Sequence, residues 1–208
     1  MGEHMGRDVI EYMQKLDMKD ITAQMALQCA PLFTGLKVSN LLIIPAKKGD
    51  PVREALEGTE ICVRKLTEFK GRITYILFQR GALEAWISRE DNRQFLAENG
   101  YEGCSLDSIL NKIEGRYCAY VRENKSFPHE IGILLGYPAE DVRGFVTNEG
   151  RNHLCSGYWK VYGHPSEKKR LFQRFDQAKR TLLKAISMGV ELQSVIVPFG
   201  ELFQGSAA

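Results

Sequence analysis

The sequence predicts a single α/β (or α+β) domain, with a mixed sheet of about four or five strands covered by helices. Strand-like and helix-like segments alternate from residue 40 to residue 198, as expected when helices cover a sheet. The length of 208 residues suits one domain with a core of its own. Hydrophobic residues make up 44% and charged residues 26%, which is typical of a globular chain and not of a disordered one.

The first predicted elements rest on apolar spacing and on capping residues. Apolar residues at helical spacing predict helices over residues 8–29, with Asp20 capping the second piece. Leu41–Pro45 is apolar and ends in proline, which favours a buried strand. Asp50, directly before a proline, predicts the start of a short helix. Arg72–Gln79 is rich in β-branched and aromatic residues and predicts a central strand.

The later elements follow the same rules, with glycine or proline at most boundaries. Two short helices begin at Pro128 and Pro138, and the acids just after each proline suit the positive end of a helix. The remaining predictions are helices from Gly81 to Gly100 and from Ser105 to Gly115, a possible strand at Tyr117–Val121, a strand at Tyr158–Tyr162, a long helix at Pro165–Met188, a last strand at Leu192–Val197, and loose tails at 1–7 and 204–208.

The cysteines and the apolar runs limit the cellular compartments that we expect for the protein. The five cysteines are widely spaced and form no C-x-x-C pair, which disfavours a disulfide framework and a structural zinc site. Free thiols are typical of a reducing compartment. No apolar run approaches the roughly 18–20 residues that span a bilayer, and the first residues lack the apolar core of a secretory signal. We therefore expect a cytoplasmic protein, and the sequence assigns no metal site.

The strong catalytic motifs are absent from the sequence. It contains no G-x-x-x-x-G-K-[ST], no G-x-G-x-x-G after a strand, no H-E-x-x-H and no G-x-S-x-G. These absences remove the enzyme classes that a motif would reveal, but they do not exclude enzymes in general. They also leave the cofactor, if any, unassigned.

His129 and Glu130, in the segment Phe127-Pro128-His129-Glu130, are the first candidate site. At a helix start, free N–H groups and the helix dipole favour a neutral imidazole, which can act as a general base or a ligand. The structural alternative is a capping histidine and a dipole-compatible glutamate beside a buried phenylalanine. Pro128 and Glu130 are residues that a helix start favours, so only His129 is left without a structural explanation.

Cys155 and the aromatic segment after it form a second group of candidates. His153 and Cys155 would share one face of a strand in a basic stretch, which suits a Cys–His pair, whereas a cysteine packed on the core is the alternative. Alternation would place Tyr158 and Lys160 on one face and Trp159 on the other. The first face could stack a planar ligand and pair with its anionic group, or it could simply be a solvated face.

The C-terminal part of the chain is basic. Residues 151–208 carry nine Lys and Arg against four Asp and Glu, although the whole chain has a net charge of only +2. Arg170 and Arg174 lie on the basic side of the long predicted helix, which could dock an acidic protein or could be solvated. The second short helix offers only Arg143 as a basic side chain, behind two acids, which disfavours nucleic-acid binding.

Three stretches together resemble the bacterial domain of unknown function 3793 family. They are Cys29-Ala30-Pro31 with Gly35-Leu36-Lys37 and Asn40-Leu41; Phe127-Pro128-His129-Glu130-Ile131-Gly132 with Leu135-Gly136-Tyr137-Pro138 and Glu140-Asp141-Val142; and Cys155-x-Gly157-Tyr158-Trp159-Lys160-Val161-Tyr162. The resemblance covers residues from about 8 to 198 and implies no reaction, because the family has none assigned. It implies an anaerobic redox or iron context and places Cys29, His129, Glu130, Cys155, Trp159 and Lys160 in the family pattern.

Three functional hypotheses follow. The first is a cytoplasmic accessory or binding protein in anaerobic redox or iron metabolism, whose basic helix meets an acidic redox protein such as a flavodoxin. The second is a small-molecule enzyme that uses His129 with Glu130, Cys155 or Lys160 nearby, which requires these side chains to converge. The third is a structural partner subunit, which an exposed apolar patch would mark.

Overall fold

An antiparallel sheet of three strands lies at the centre of the fold. The computed structural model describes residues 7–46 and 50–200. The strands are β1 (Ser39–Pro45), β2 (Ile61–Phe69) and β3 (Arg72–Gln79), and β3 lies between the other two. A second, very small antiparallel sheet pairs β4 (Cys155–Ser156) with β5 (Lys160–Val161).

Helices cover both faces of the central sheet. The first face packs against α4 to α8 and the opposite face against α2 and α9. The helices of the described part are α1 (Arg7–Lys15), α2 (Ile21–Phe33), α3 (Pro51–Ala55), α4 (Arg80–Ile87), α5 (Glu90–Leu96), α6 (Leu106–Glu123), α7 (Ile131–Leu134), α8 (Ala139–Thr147) and α9 (Pro165–Ser187), with a π-helical turn at Ala97–Tyr101 and a 3₁₀ turn at Leu192–Val195.

Strand β3 separates two hydrophobic cores because its side chains alternate between the two faces. Ile76 and Phe78 join the core under α6, whereas Tyr75 and Leu77 join the core under α2 and α9. A third, smaller core joins α9 to the β4–β5 sheet through aromatic residues, including Trp159 and Phe172. Both faces of β3 are therefore covered, which agrees with its nearly continuous apolar sequence.

The predicted fold class is confirmed in its α+β form, but the sheet differs in detail from the mixed sheet expected. The described part contains five strands, split between two sheets, and every pairing is antiparallel. The reason is local: β2 and β3 are joined by the tight turn Lys70–Gly71, with φ of 46° and 72°, and such a turn makes a hairpin. No helix crosses between neighbouring strands of that hairpin, as a parallel pair would need.

Five elements were predicted wrongly or missed. The single helix predicted from Gly81 to Gly100 is two helices, α4 and α5, followed by the π-helical turn. Strand β2 was missed because a bulge between Lys65 and Thr67 breaks its alternation. Tyr117–Val121 belongs to α6, which continues through the glycine expected to end it. The predicted strand Leu192–Val197 is instead a 3₁₀ turn and an extended end. Only Lys160 and Val161 of the predicted strand Tyr158–Tyr162 pair as strand.

The predicted loose tails fall almost entirely outside the described residues. Residues 1–6 and 201–208 are not described, and Arg7 already belongs to α1. No helix in the described ranges has the length and apolarity needed to span a membrane.

Asp141, in the first turn of α8, joins that helix to the segment around β5. Its side chain is 2% exposed. One carboxylate oxygen accepts a hydrogen bond from the Trp159 indole at 2.7 Å, and the other accepts from the backbone N–H groups of Tyr162 and Gly163 at 2.7 and 3.2 Å. A Cβ on Gly144 would lie 2.3 Å from the Tyr162 ring, so glycine permits this close approach.

We expect Asp141→Asn to lower the free energy of unfolding by about 3 kcal/mol, because an amide cannot accept hydrogen bonds from all three donors in a buried site. Urea denaturation measures the loss. The matched control is Glu149→Gln, at a glutamate whose side chain is 76% exposed beside Arg151, where the change should stay within about 0.5 kcal/mol. Equal effects of the two substitutions would contradict a structural role for Asp141.

Candidate functional site

A cleft of about 350 Å³ opens beside the turn that precedes α7. Its walls come from α5, the π-helical turn, α6, the loop before α7, and α8. His129 and Glu130 both line it, together with Arg116 from α6 and Arg143 from α8. The helix predicted to start at Pro128 begins only at Ile131, so His129 and Glu130 form a turn and not the first turn of a helix.

His129 is half-buried between two aromatic rings. Its imidazole centroid lies 5.4 Å from that of Phe127 and 5.5 Å from that of Phe145. Burial lowers the pKa of His129, with Glu130 opposing this effect and Arg116 adding to it. Within the described residues, neither imidazole nitrogen has a hydrogen-bond partner. The ring is therefore held by packing, and its nitrogens are available to a ligand.

Glu130 is buried and bonded to the protein. Its side chain is 1% exposed. One carboxylate oxygen accepts a hydrogen bond from the Tyr101 hydroxyl at 2.7 Å and forms an ion pair with Arg116. Burial, and next the bond to Glu130, raises the pKa of the Tyr101 hydroxyl. Glu130 thus ties the turn to α6 and to the π-helical turn, which is a positioning role.

Two guanidinium groups stand at the cleft. Arg116 contacts Glu130 and the Tyr101 hydroxyl through Nη1. Arg143 forms an ion pair with Glu98, also through Nη1, and its guanidinium lies 5.1 Å from the centre of the Phe95 ring. The remaining N–H groups of both arginines have no side-chain acceptor within the described part of the chain. Each guanidinium can therefore still bind an acceptor on a ligand.

Cys155 and Lys160 do not line the cleft. Cys155 lies opposite Val161 in the small sheet and packs against the third core. Lys160 donates a hydrogen bond to the Gly150 carbonyl at 2.7 Å and lies 5.7 Å from the centre of the Phe145 ring, which His129 also contacts. The structure brings together His129 and Glu130 from the predicted set, and it adds Arg116, Arg143 and Tyr101.

Tyr158 and Trp159 are engaged in packing. Trp159 is 8% exposed, stacks on Tyr137 at 4.7 Å and meets Phe172 edge-on at 4.6 Å. The Tyr158 hydroxyl donates to Asp176 at 2.9 Å, and burial is the main reason that its pKa is raised. A ligand-stacking role for this segment stays a prediction from the sequence.

Arg170 and Arg174 lie exposed on α9, on the face turned away from the core. They do not line the cleft. All five cysteines are free thiols. Within residues 7–46 and 50–200, no group of three or more His, Cys, Asp or Glu side chains is placed to hold a metal ion.

The family model described as protein of unknown function DUF3793 matches residues 25–196. The chain belongs to this family. The resemblance that the three sequence stretches suggested is thereby confirmed. No curated protein and no solved structure matches the chain. Family membership assigns no reaction, so the function has to be argued from the geometry of the cleft.

The residues missed by sequence reasoning come from elements distant along the chain. Arg116 lies in the middle of α6, and Tyr101 ends the π-helical turn. Neither stands in a motif, and Arg143 was considered only as a possible DNA contact. Nothing in the local sequence indicates that these three residues meet His129.

We expect an NMR titration to place the pKa of His129 below its ordinary value of 6.5. Phe127→Ala should raise it toward 6.5, because removal of the ring admits water to the imidazole. The resonance is assigned by its loss in His129→Gln. A wild-type pKa at or above 6.5, or no rise in Phe127→Ala, would show that burial does not control this imidazole.

Proposed function

We propose that the chain binds a small anionic molecule in the His129 cleft and transfers a proton through the His129 imidazole. The observation that carries this proposal is a half-buried imidazole without a hydrogen-bond partner among the described residues, in a cleft that two arginines also line. This is the enzyme hypothesis from the sequence, now without Cys155 and Lys160, which lie outside the cleft.

The arginines give the cleft its preference for an anion. Guanidinium groups recognise carboxylate and phosphate through paired N–H groups in a fixed geometry. Arg116 and Arg143 each use Nη1 toward a glutamate and keep other N–H groups for a ligand. Glu98 and Glu130 neutralise the two arginines in part, which favours a small ligand with one anionic group over a highly charged one.

His129 is the group best placed to move a proton. Its lowered pKa keeps the imidazole neutral near pH 7, so one ring nitrogen can accept a proton and the other can donate one. Glu130 is unsuited to this task, because its carboxylate is buried and committed to Tyr101 and Arg116. Glu130 therefore positions the turn, and His129 faces the ligand and exchanges the proton.

The test is calorimetric titration with a panel of small carboxylates and phosphate monoesters. Arg143→Gln should weaken binding by about tenfold or more, which corresponds to loss of roughly 1.4 kcal/mol. Binding should also raise the pKa of His129, so affinity should increase as the pH falls, and His129→Gln should abolish that dependence.

The matched control is Arg93→Gln, at an arginine that is 66% exposed, pairs with Glu90 on α5 and lies outside the cleft. It should leave the affinity unchanged within about twofold. If no member of the panel binds, or if Arg93→Gln and Arg143→Gln have equal effects, the proposal is wrong.

A second candidate function is docking of an acidic protein, such as a flavodoxin in a redox or iron context, on α9. The observation that favours it is the exposure of Lys169, Arg170, Arg174 and Lys184 along that helix. Lys168, which pairs with Glu140 at 2.9 Å, and Lys179, which lies 5.3 Å from the Tyr158 ring centre, are less exposed than these four residues. The exposed set leaves a positive surface that suits an acidic partner.

For this docking surface, we expect Arg170→Glu with Arg174→Glu to weaken association with an acidic flavodoxin by about tenfold, and high salt to weaken the wild-type association likewise. The control carries the same charge change at Arg93 and Arg151, which are exposed and lie outside α9. Surface plasmon resonance measures both pairs. Association that is insensitive to salt and equal for both variants would remove the candidate.

A further inference from the structure

A second cleft, also of about 350 Å³, lies along β2, an outer strand of the central sheet. Its walls come from α3 and the residue after it, from β2 and the end of β3, and from the starts of α4 and α6. Its volume falls at the small end of the roughly 300–1,000 Å³ of small-molecule sites. None of its lining residues lines the His129 cleft, so the two clefts are separate.

Three arginines line this second cleft, one each from α3, β2 and the start of α4: Arg53, Arg64 and Arg80. The acid that lines it is Asp107, in the first turn of α6. Arg80 donates hydrogen bonds to both carboxylate oxygens of Asp107, at 2.9 and 3.1 Å. These two charges compensate each other, which leaves Arg53 and Arg64 as the guanidinium groups that can recognise a ligand.

Both of these guanidinium groups are held in place and keep one nitrogen unused. Arg53 donates through Nε to Asp50 at 2.9 Å and through Nη2 to the Val63 carbonyl at 3.0 Å. Arg64 donates through Nε to Glu114 at 2.8 Å. Neither of these acids lines the cleft. Within the described residues, Nη1 of both arginines has no acceptor, so it can donate to a ligand.

The rest of the lining is largely apolar. Its buried members come from the end of α3, from β2, from β3 and from α6, and they are Leu56, Ile61, Phe78 and Leu110. A compact anion such as phosphate would leave this apolar surface in water. A hydrocarbon chain with an anionic group at each end would cover it and gain the free energy of apolar burial. The lining therefore favours a ligand that carries two charges on a short carbon chain.

We propose that this second cleft is a binding site for small dicarboxylates. Arg53 and Arg64 each donate from Nη1 to one carboxylate, and the carbon chain lies over the apolar residues. Arg80 stays paired with Asp107 and adds no further preference. The proposal is independent of the His129 cleft, because the two sites share no residue and differ in the number of anionic groups that they favour.

Cys62 reports whether this cleft is occupied. It is a half-buried free thiol that lines the cleft, so a bound ligand should shield it from an alkylating reagent. Cys155 is also a half-buried free thiol, and it lines neither cleft. The two cysteines therefore give a site-specific signal and an internal control in one protein.

The experiment is alkylation of the wild-type protein by N-ethylmaleimide, a neutral reagent, with increasing succinate or glutarate, followed by peptide mass mapping. The rate at Cys62 should fall by about fivefold or more at saturation, and the rate at Cys155 should stay within about twofold. Succinamate, in which an amide replaces one carboxylate, should need a concentration about tenfold higher for half-protection. No protection of Cys62 by up to about 10 mM dicarboxylate, or equal protection by succinamate, would overturn the proposal.

Variants assign the effect to the arginines. Arg53→Gln and Arg64→Gln should each raise the succinate concentration for half-protection by about tenfold, whereas Arg93→Gln, outside both clefts, should change it by less than about twofold. Arg143→Gln, in the His129 cleft, should also leave the protection of Cys62 unchanged, so the two sites are tested separately. Equal effects of Arg64→Gln and Arg93→Gln would contradict the assignment. If a variant does not fold, the wild-type comparison of succinate with succinamate still decides the question.

Discussion

Glu130 brings a full carboxylate into the interior, and the arrangement of the candidate site depends on how that charge is compensated. A buried carboxylate costs several kcal/mol unless donors surround it. Tyr101 and Arg116 supply those donors from the π-helical turn and from α6. The turn before α7 is thereby held in place, and the adjacent His129 is brought to the cleft between two aromatic rings. The imidazole is positioned by its neighbour, and its nitrogens have no hydrogen-bond partner among the described residues.

Asp141, at the start of α8, is a second buried carboxylate whose charge is compensated by hydrogen-bond donors. Both acids lie near a helix start, where the helix dipole alone would be enough to favour an acidic residue. Their actual partners are distant along the chain: the indole of Trp159 and the backbone of Tyr162 and Gly163 for Asp141. Two buried carboxylates thus connect the starts of α7 and α8 to the rest of the fold.

Much of the fold follows from local sequence. Asp20 caps α2, and β3 and α9 begin and end within a residue of their predicted limits, because capping and periodicity are local properties. Strand β2 was not predicted because its bulge places two adjacent residues, Leu66 and Thr67, in the interior, which breaks the alternation of a strand. The segment after Leu192 forms no strand because its backbone bonds to the Phe33 carbonyl and the Gln79 side chain instead.

The candidate site was harder to predict from the sequence than the fold. His129 was found because no structural rule accounted for it, whereas Arg116 and Tyr101 carry no local signal. Arg116 and Tyr101 reach Glu130 from α6 and from the π-helical turn. Contacts of this kind depend on tertiary packing, which periodicity and capping do not encode.

The pKa of His129 in Glu130→Ala tests most directly whether Glu130 holds the turn. If it does, the substitution releases the turn, water reaches the imidazole, and the pKa rises toward 6.5, because burial is the largest cause of its lowered value. If the turn stays in place without Glu130, only the favourable charge is lost, and the pKa falls further. An NMR titration of the folded variant distinguishes the two: a rise is the predicted result, and a fall would contradict the account.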